Sequence, residues 1–198
     1  MRLGKTYEKE LPKGYEAVYT VDAKNKKTAL ILTLSSLLMA AVIVLTAFFI
    51  IRPTDAKEGL SYVKLTFFIL TLVAYLVFHE LTHGLAYKIL TGEKLTFGLT
   101  LSVAYCGVPN IFVYRKAALV ALLSPFVIFT LFFGASFFIF TNEWNLFLAV
   151  IVFAVHFSGC VGDLYGAYLY IFKFRDNTTL MQDTGPKQTF YQKVEKAE

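Results

Sequence analysis

His79, Glu80 and His83 are the residues of this sequence whose types and spacing suit catalysis at a metal. Two histidines four apart fall on one face of a helix, one turn from each other, where a single ion reaches both imidazoles. A glutamate directly after the first flanks the same place and suits a general base. Zinc takes imidazole and carboxylate ligands and, in a catalytic setting, keeps one position open for water. The expected cofactor is therefore Zn2+. The expected chemistry is hydrolysis, with zinc-activated water attacking a carbonyl and Glu80 taking its proton. The motif lies in a largely apolar stretch, where ionisable side chains are expensive and mark function by default.

Such a site needs a third protein ligand. A histidine six residues after His83 would supply one, but that position is Ile89. Glu93 falls just past the expected helix end, and Glu143 falls in a loop expected on the other side of the membrane. His156 and Asp163 remain, both in a later apolar run. Depth favours Asp163. His79 follows Tyr62 by 17 residues and Asp163 follows Leu146 by 17, which puts both about 25 Å along their helices. His156 comes out about 10 Å shallower. The expected metal ligands are His79, His83 and Asp163, with His156 as the alternative third ligand or a polar neighbour. Gly159, Gly162 and Gly166 would let the later helix approach closely.

The elements that must carry these residues are membrane helices. The chain of 198 residues is 57% hydrophobic and 17% charged, against about 25% charged in ordinary soluble domains. Its apolar residues are grouped into runs at 28–51, 62–91, 117–140 and 146–172, each long enough to span a bilayer. Arg52-Pro53 ends the first run and Thr91-Gly92 the second. The first run is too long, and lacks the cleavage site, for a secretory signal. Residues 28–172 are expected to form a membrane metalloprotease domain. Residues 1–27 and 173–198 would be polar flanking segments, the tail flexible.

Lysine and arginine set the orientation. Sixteen of the 19 fall in residues 1–27, the 88–116 region and the tail, and three (Arg52, Lys57 and Lys64) on the other side. Both termini are then cytoplasmic, in an integral protein of a bacterial plasma membrane. The net charge of +5 is accounted for by a basic face on anionic lipid, so no nucleic-acid partner is expected. Cys106 and Cys160 lie toward the reducing side and are expected to stay unpaired.

Residues 94–116 alternate with the period of a strand, from Leu95 through Phe97, Leu99, Leu101 and Val103 to Tyr105. Gly107-Val108-Pro109-Asn110 reads as a turn and Ile111–Tyr114 as a second strand. The expected fold is therefore an all-α integral membrane protein of four transmembrane helices, with a β-hairpin between the second and third. An open hairpin edge beside the motif could take an extended peptide as an added strand. Pro125 in the third run frees a helical carbonyl that a neighbour must satisfy.

The run HELTHGLAYK, then Arg115-Lys116, Leu122-Leu123-Ser124-Pro125 and Gly162-Asp163-Leu164 resemble the putative zincin peptidase family of unknown function. That family is similar to the site-2 protease-like intramembrane zinc metalloproteases. The resemblance implies hydrolysis of a peptide bond within or near the membrane, in a peptide or membrane-protein substrate. It places the third ligand at Asp163, although Gly162 and Leu164 depart from the Leu-Asp-Gly setting of site-2 proteases. The competing expectation is a non-proteolytic membrane protein that keeps a metal site as a regulator or assembly partner. Metal transport is disfavoured by the absence of charge from the first and third runs.

Overall fold

Asparagine caps, glycine and proline decide where the apolar runs become helices. In the computed structural model, which describes residues 5–54, 61–99 and 104–194, helix α1 covers Lys26–Ile51. The Asn25 side chain accepts from the amides of Lys27 and Thr28, at 3.0 and 3.3 Å. The helix ends at Arg52, which takes a left-handed φ of 50° before Pro53. Helix α2 (Tyr62–Thr91) ends at Gly92, whose φ of 70° needs no Cβ to be accommodated. Helix α3 (Arg115–Ser136) contains Pro125 and stops four residues short of the expected run, in tight turns from Gly134 onward. Helix α4 (Glu143–Gly159) starts on Asn142, whose side chain accepts from the Trp144 and Asn145 amides.

The fourth run is not one straight helix. It breaks at Cys160, resumes as α5 (Val161–Tyr168) and ends in a π-helical turn, Leu169–Lys173. Among the described residues three helices are long and apolar enough to cross a membrane, or four if the broken pair counts as one span.

The all-α expectation is overturned by two antiparallel sheets. Strands β1 (Tyr7–Glu8), β2 (Tyr15–Asp22), β5 (Phe112–Tyr114), β6 (Leu180–Asp183) and β7 (Lys187–Lys193) form a five-stranded sheet in the order β1-β5-β6-β7-β2. The two flanking segments therefore supply four of its strands. Their composition is polar, but a bulge between Ala17 and Tyr19 shifts the register of β2 so that Tyr19 and Val21, opposite Phe190 and Gln188, pack into the apolar core. Asp183-Thr184-Gly185-Pro186 turns the tail back on itself. The Asp183 carboxylate accepts from the Gly185 amide at 2.8 Å, and Gly185 has a φ of 94°.

The hairpin expected between the 95–106 run and Ile111–Tyr114 does not form, and a different pairing replaces it. Strand β3 (Thr96–Leu99) pairs with β4 (Ala104–Gly107), while β5 joins the larger sheet. Residues 100–103, part of the alternating run, lie outside the described residues, as do Arg2, Lys57 and Lys196 of the orientation argument.

The chain groups into two units. One combines Glu80–Ser124 with both chain ends, through Leu30 and from Asp163. Its core packs Tyr87, Val113, Leu122, Tyr170, Met181 and Phe190 together, so helix ends and sheet share one apolar interior. The other comprises Ile31–His79 and Pro125–Gly162 and packs Tyr75, Phe133 and Val152.

Gly107 joins β4 to the β6–β7 turn. A Cβ there would lie 2.4 Å from the Gly185 amide nitrogen and 2.9 Å from the Asp183 carbonyl oxygen, both backbone atoms that cannot rotate away. Gly107→Ala is expected to destabilise this unit by about 1–3 kcal/mol, measured by denaturant unfolding in detergent.

Candidate metal centre

Helix α2 has one inward stripe. Tyr75, His79, His83 and Tyr87 follow at intervals of four and are all buried, while Leu76, Val77, Phe78, Leu81 and Leu85 between them are exposed. Spacing of four keeps side chains on one face. The exposed face is apolar and suits lipid, and the inward face carries hydroxyl and imidazole groups.

His83 is held from its Nδ1 side. Nδ1 lies 2.9 Å from the Ala121 carbonyl oxygen. A carbonyl only accepts, so Nδ1 carries the proton. Ala121 has a free carbonyl because residue 125, four positions on, is proline and has no N–H to return. The Ser124 hydroxyl donates to the same oxygen at 2.9 Å. With Nδ1 committed, Nε2 faces Oδ2 of Asp163 at 3.3 Å. A lone pair on Nε2 and a carboxylate oxygen repel at that distance, so a positive centre, either a second proton or a cation, must lie between them. The separation also fits two ligands of one ion: tetrahedral bonds of about 2.0–2.1 Å put ligand atoms about 3.3 Å apart.

His79 is likewise engaged at Nδ1, 3.0 Å from the Tyr75 hydroxyl. Because α2 is continuous, His79 lies one turn before His83, with Glu80 beside it and half-buried. Asp163 is in the first turn of α5, just after the break at Cys160. The break separates the two later candidates. Asp163 meets His83, whereas His156, fully buried, meets Tyr75 at 3.2 Å and Thr130 at 3.0 Å. The described residues thus offer atoms able to hold a metal, and the donors (imidazole nitrogens and a carboxylate) are those zinc accepts.

The other carboxylates are engaged elsewhere. Glu93 accepts from the Tyr7 hydroxyl at 2.8 Å and pairs with Lys9, and the Tyr7 bond holds its carboxyl below the usual range. Glu143 accepts from the Thr54 amide. Cys106 and Cys160 are free, buried thiols. Burial, with the charges of Glu80 and Asp183 adding to it, pushes the Cys106 thiol up to about 12, so it is no thiolate nucleophile.

Three groups went unread in the sequence. Tyr75 and Tyr87 extend the stripe of four in both directions, and that periodicity was the available signal. Asp183 carried none. It accepts from the Tyr87 hydroxyl at 2.7 Å, tying strand β6 to α2 one turn after His83. The hairpin lies on the same helix at Gly84, where a Cβ would meet the Phe97 ring at 2.8 Å and Cys106 Sγ at 3.3 Å.

Burial raises the Asp183 carboxyl to about 6, although the bonds from Tyr87 and Gly185 oppose the rise. The folded state therefore holds a proton that the unfolded chain, titrating near 3.9, has released. Stability from this group is fully present below about pH 4, falls as pH rises toward about 6 and is level above it. Asp183→Asn is expected to flatten that decline, read as melting temperature against pH in detergent.

Residues 71–179 match the model of a family described as "Putative zincin peptidase". No curated protein and no solved structure matches the chain. The match covers more than half of the sequence and contains His79, Glu80, His83, His156 and Asp163. The chain belongs to the putative zincin peptidase family, a metallopeptidase family that implies zinc.

Proposed function

We propose that the protein is a zinc-dependent endopeptidase of the membrane, cutting a peptide bond within or beside the bilayer. His79, His83 and Asp163 hold the metal and Glu80 is the general base. The observation that carries this reading is the 3.3 Å approach of Asp163 Oδ2 to His83 Nε2, with His83 Nδ1 already committed to Ala121. Committing Nδ1 to a carbonyl is how protein zinc sites fix and strengthen an imidazole ligand.

When bound there, zinc would polarise the scissile carbonyl and acidify a water molecule. Glu80 accepts the proton of that water and passes it to the departing amine. Ala121 and Tyr75 hold the two imidazoles, and Asp163 closes the ligand set. The outer edge of β3 has no partner strand among the described residues, and Phe97 and Leu99 on it are exposed. An extended substrate backbone added along that edge would lie against the metal helix. The three membrane-length helices and the basic residues at both chain ends support an integral protein with cytoplasmic termini.

Two experiments test this. Glu80→Gln should keep wild-type zinc content while cleavage of membrane proteins falls by about 10²–10⁴-fold, read by comparing membrane proteomes of cells carrying either form. A membrane proteome that does not depend on Glu80 would instead favour a non-proteolytic regulator. In elemental analysis of purified variants, Asp163→Ala should lose most of the bound zinc and His156→Ala less. The reverse order would remove Asp163 from the ligand set.

A further inference from the structure

His79, His156 and Cys160 form a second grouping of ligand-type atoms, all within 4.8 Å of one another. Two of its three members already share a hydrogen-bond partner, and Cys160 Sγ lies 3.6 Å from His156 Nδ1. The Tyr75 hydroxyl lies 3.0 Å from His79 Nδ1, 3.2 Å from His156 Nδ1 and 3.4 Å from the His156 carbonyl oxygen. His156 Nε2 continues to the Thr130 hydroxyl at 3.0 Å. The cluster is closed to solvent: His156 is 0% exposed and its ring packs against Phe126, Phe129, Phe133, Phe153 and Phe157. In that surrounding each polar group has to be satisfied by the others.

We infer that Tyr75 is a positioning residue for the metal centre: its hydroxyl, backed by His156 and Thr130, fixes His79 as the tautomer whose Nε2 is left to bind zinc. The inference rests on the zinc reading above.

The chain can run in either direction, and the one that suits a ligand is this. His79 Nδ1–H donates to the Tyr75 oxygen, the Tyr75 hydroxyl donates to His156 Nδ1, and His156 Nε2–H donates to Thr130. Reversing the first bond would put the proton on His79 Nε2 and block it as a ligand, since a ligating imidazole must be unprotonated at the binding nitrogen. The direction of the chain therefore matters to metal binding. His156 acts as its acceptor, which explains a buried histidine two turns from the metal residues without making it a ligand. Gly159 makes room for the arrangement, because a Cβ there would stand 3.2 Å from the Tyr75 hydroxyl oxygen.

The test is zinc affinity of the full-length protein in detergent, by competition with a chromophoric chelator. Tyr75→Phe removes one oxygen and should weaken zinc by about 10–100-fold, the usual effect of deleting an outer partner of a ligating histidine. The melting temperature of the metal-free protein should stay within a few degrees, and the visible bands of the cobalt-loaded form should shift, which a purely structural role would not cause. His156→Asn keeps an acceptor near the Nδ1 position and should retain most of the affinity, while His156→Leu should match Tyr75→Phe. That pair carries the comparison if Tyr75→Phe fails to fold. Wild-type affinity in Tyr75→Phe, with zinc lost in Asp163→Asn, would overturn the inference and leave the zinc reading standing. A second equivalent of zinc lost in Cys160→Ser would also overturn it, in favour of a second metal site. A wild-type protein that takes up no zinc would sink the zinc reading itself, and the inference with it.

Discussion

An imidazole on a membrane-length helix has two nitrogens to satisfy and little water to satisfy them. For His83 the first is met by the Ala121 carbonyl at 2.9 Å, and that bond sets the terms for the rest of the centre. It needs a helix with a spare carbonyl, which the ring of Pro125 provides by removing the N–H that would have closed the turn. It fixes the proton on Nδ1 and so turns the lone pair of Nε2 toward Asp163. A proline that weakens α3 as a helix thereby serves the metal motif on another helix, and the Ser124 hydroxyl adds a second donor to the same oxygen.

The larger sheet acts on the same helix one turn further on. Tyr87 donates to Asp183 of β6 at 2.7 Å, and the carboxyl is buried at a cost large enough to raise it to about 6. That expense would be hard to explain if the tail were a loose appendage. The tail strand is built into the core of the unit that carries Glu80, His83 and Asp163, and the hairpin seated over Gly84 completes the packing on that side. The single inward stripe of α2 thus has hydroxyl, imidazole, imidazole and hydroxyl in sequence, with His79 tied to Tyr75 on the same helix and the other three tied to other elements. The ties run to His156 of α4, to Ala121 of α3, to Asp163 of α5 and to Asp183 of β6.

The sequence made some of this legible and hid the rest for physical reasons. Apolar runs bounded by Asn25, Arg52-Pro53, Gly92 and Asn142 are local signals, and the helices follow them closely. Short strands are weaker signals. Tyr7-Glu8 acquires strand character only by pairing with β5, more than 100 residues away in the chain, and Leu180–Asp183 is placed between β5 and its local hairpin partner β7. The flanking segments read as polar because charged and hydroxyl residues separate the few apolar ones, such as Tyr19, Val21, Met181 and Phe190, that enter the core. The 95–114 segment alternates with the period of a hairpin, but alternation does not say which strand pairs with which. Tyr114 answers to Leu180 of β6, and its amide to Thr6, not to the strand that begins at Leu95.

By itself the sequence determined which residues are candidates for metal chemistry: two histidines and a glutamate at helical spacing, in an apolar run where ionisable side chains are costly. It also narrowed the candidates for a third ligand, because depth along a helix is arithmetic on residue number. Only the tertiary structure decided which nitrogen of His83 is left to act, since a tautomer is set by the partner at the other nitrogen and that partner is a backbone carbonyl with no side-chain signature. Only the structure separated His156 from Asp163, because the break at Cys160 turns two residues expected on one helical face toward different partners. And only pairing across the chain joined two polar chain ends into one sheet, tied to α2 through Asp183 and Tyr87, because the partners of β2 and β5 are chosen in space and not along the chain.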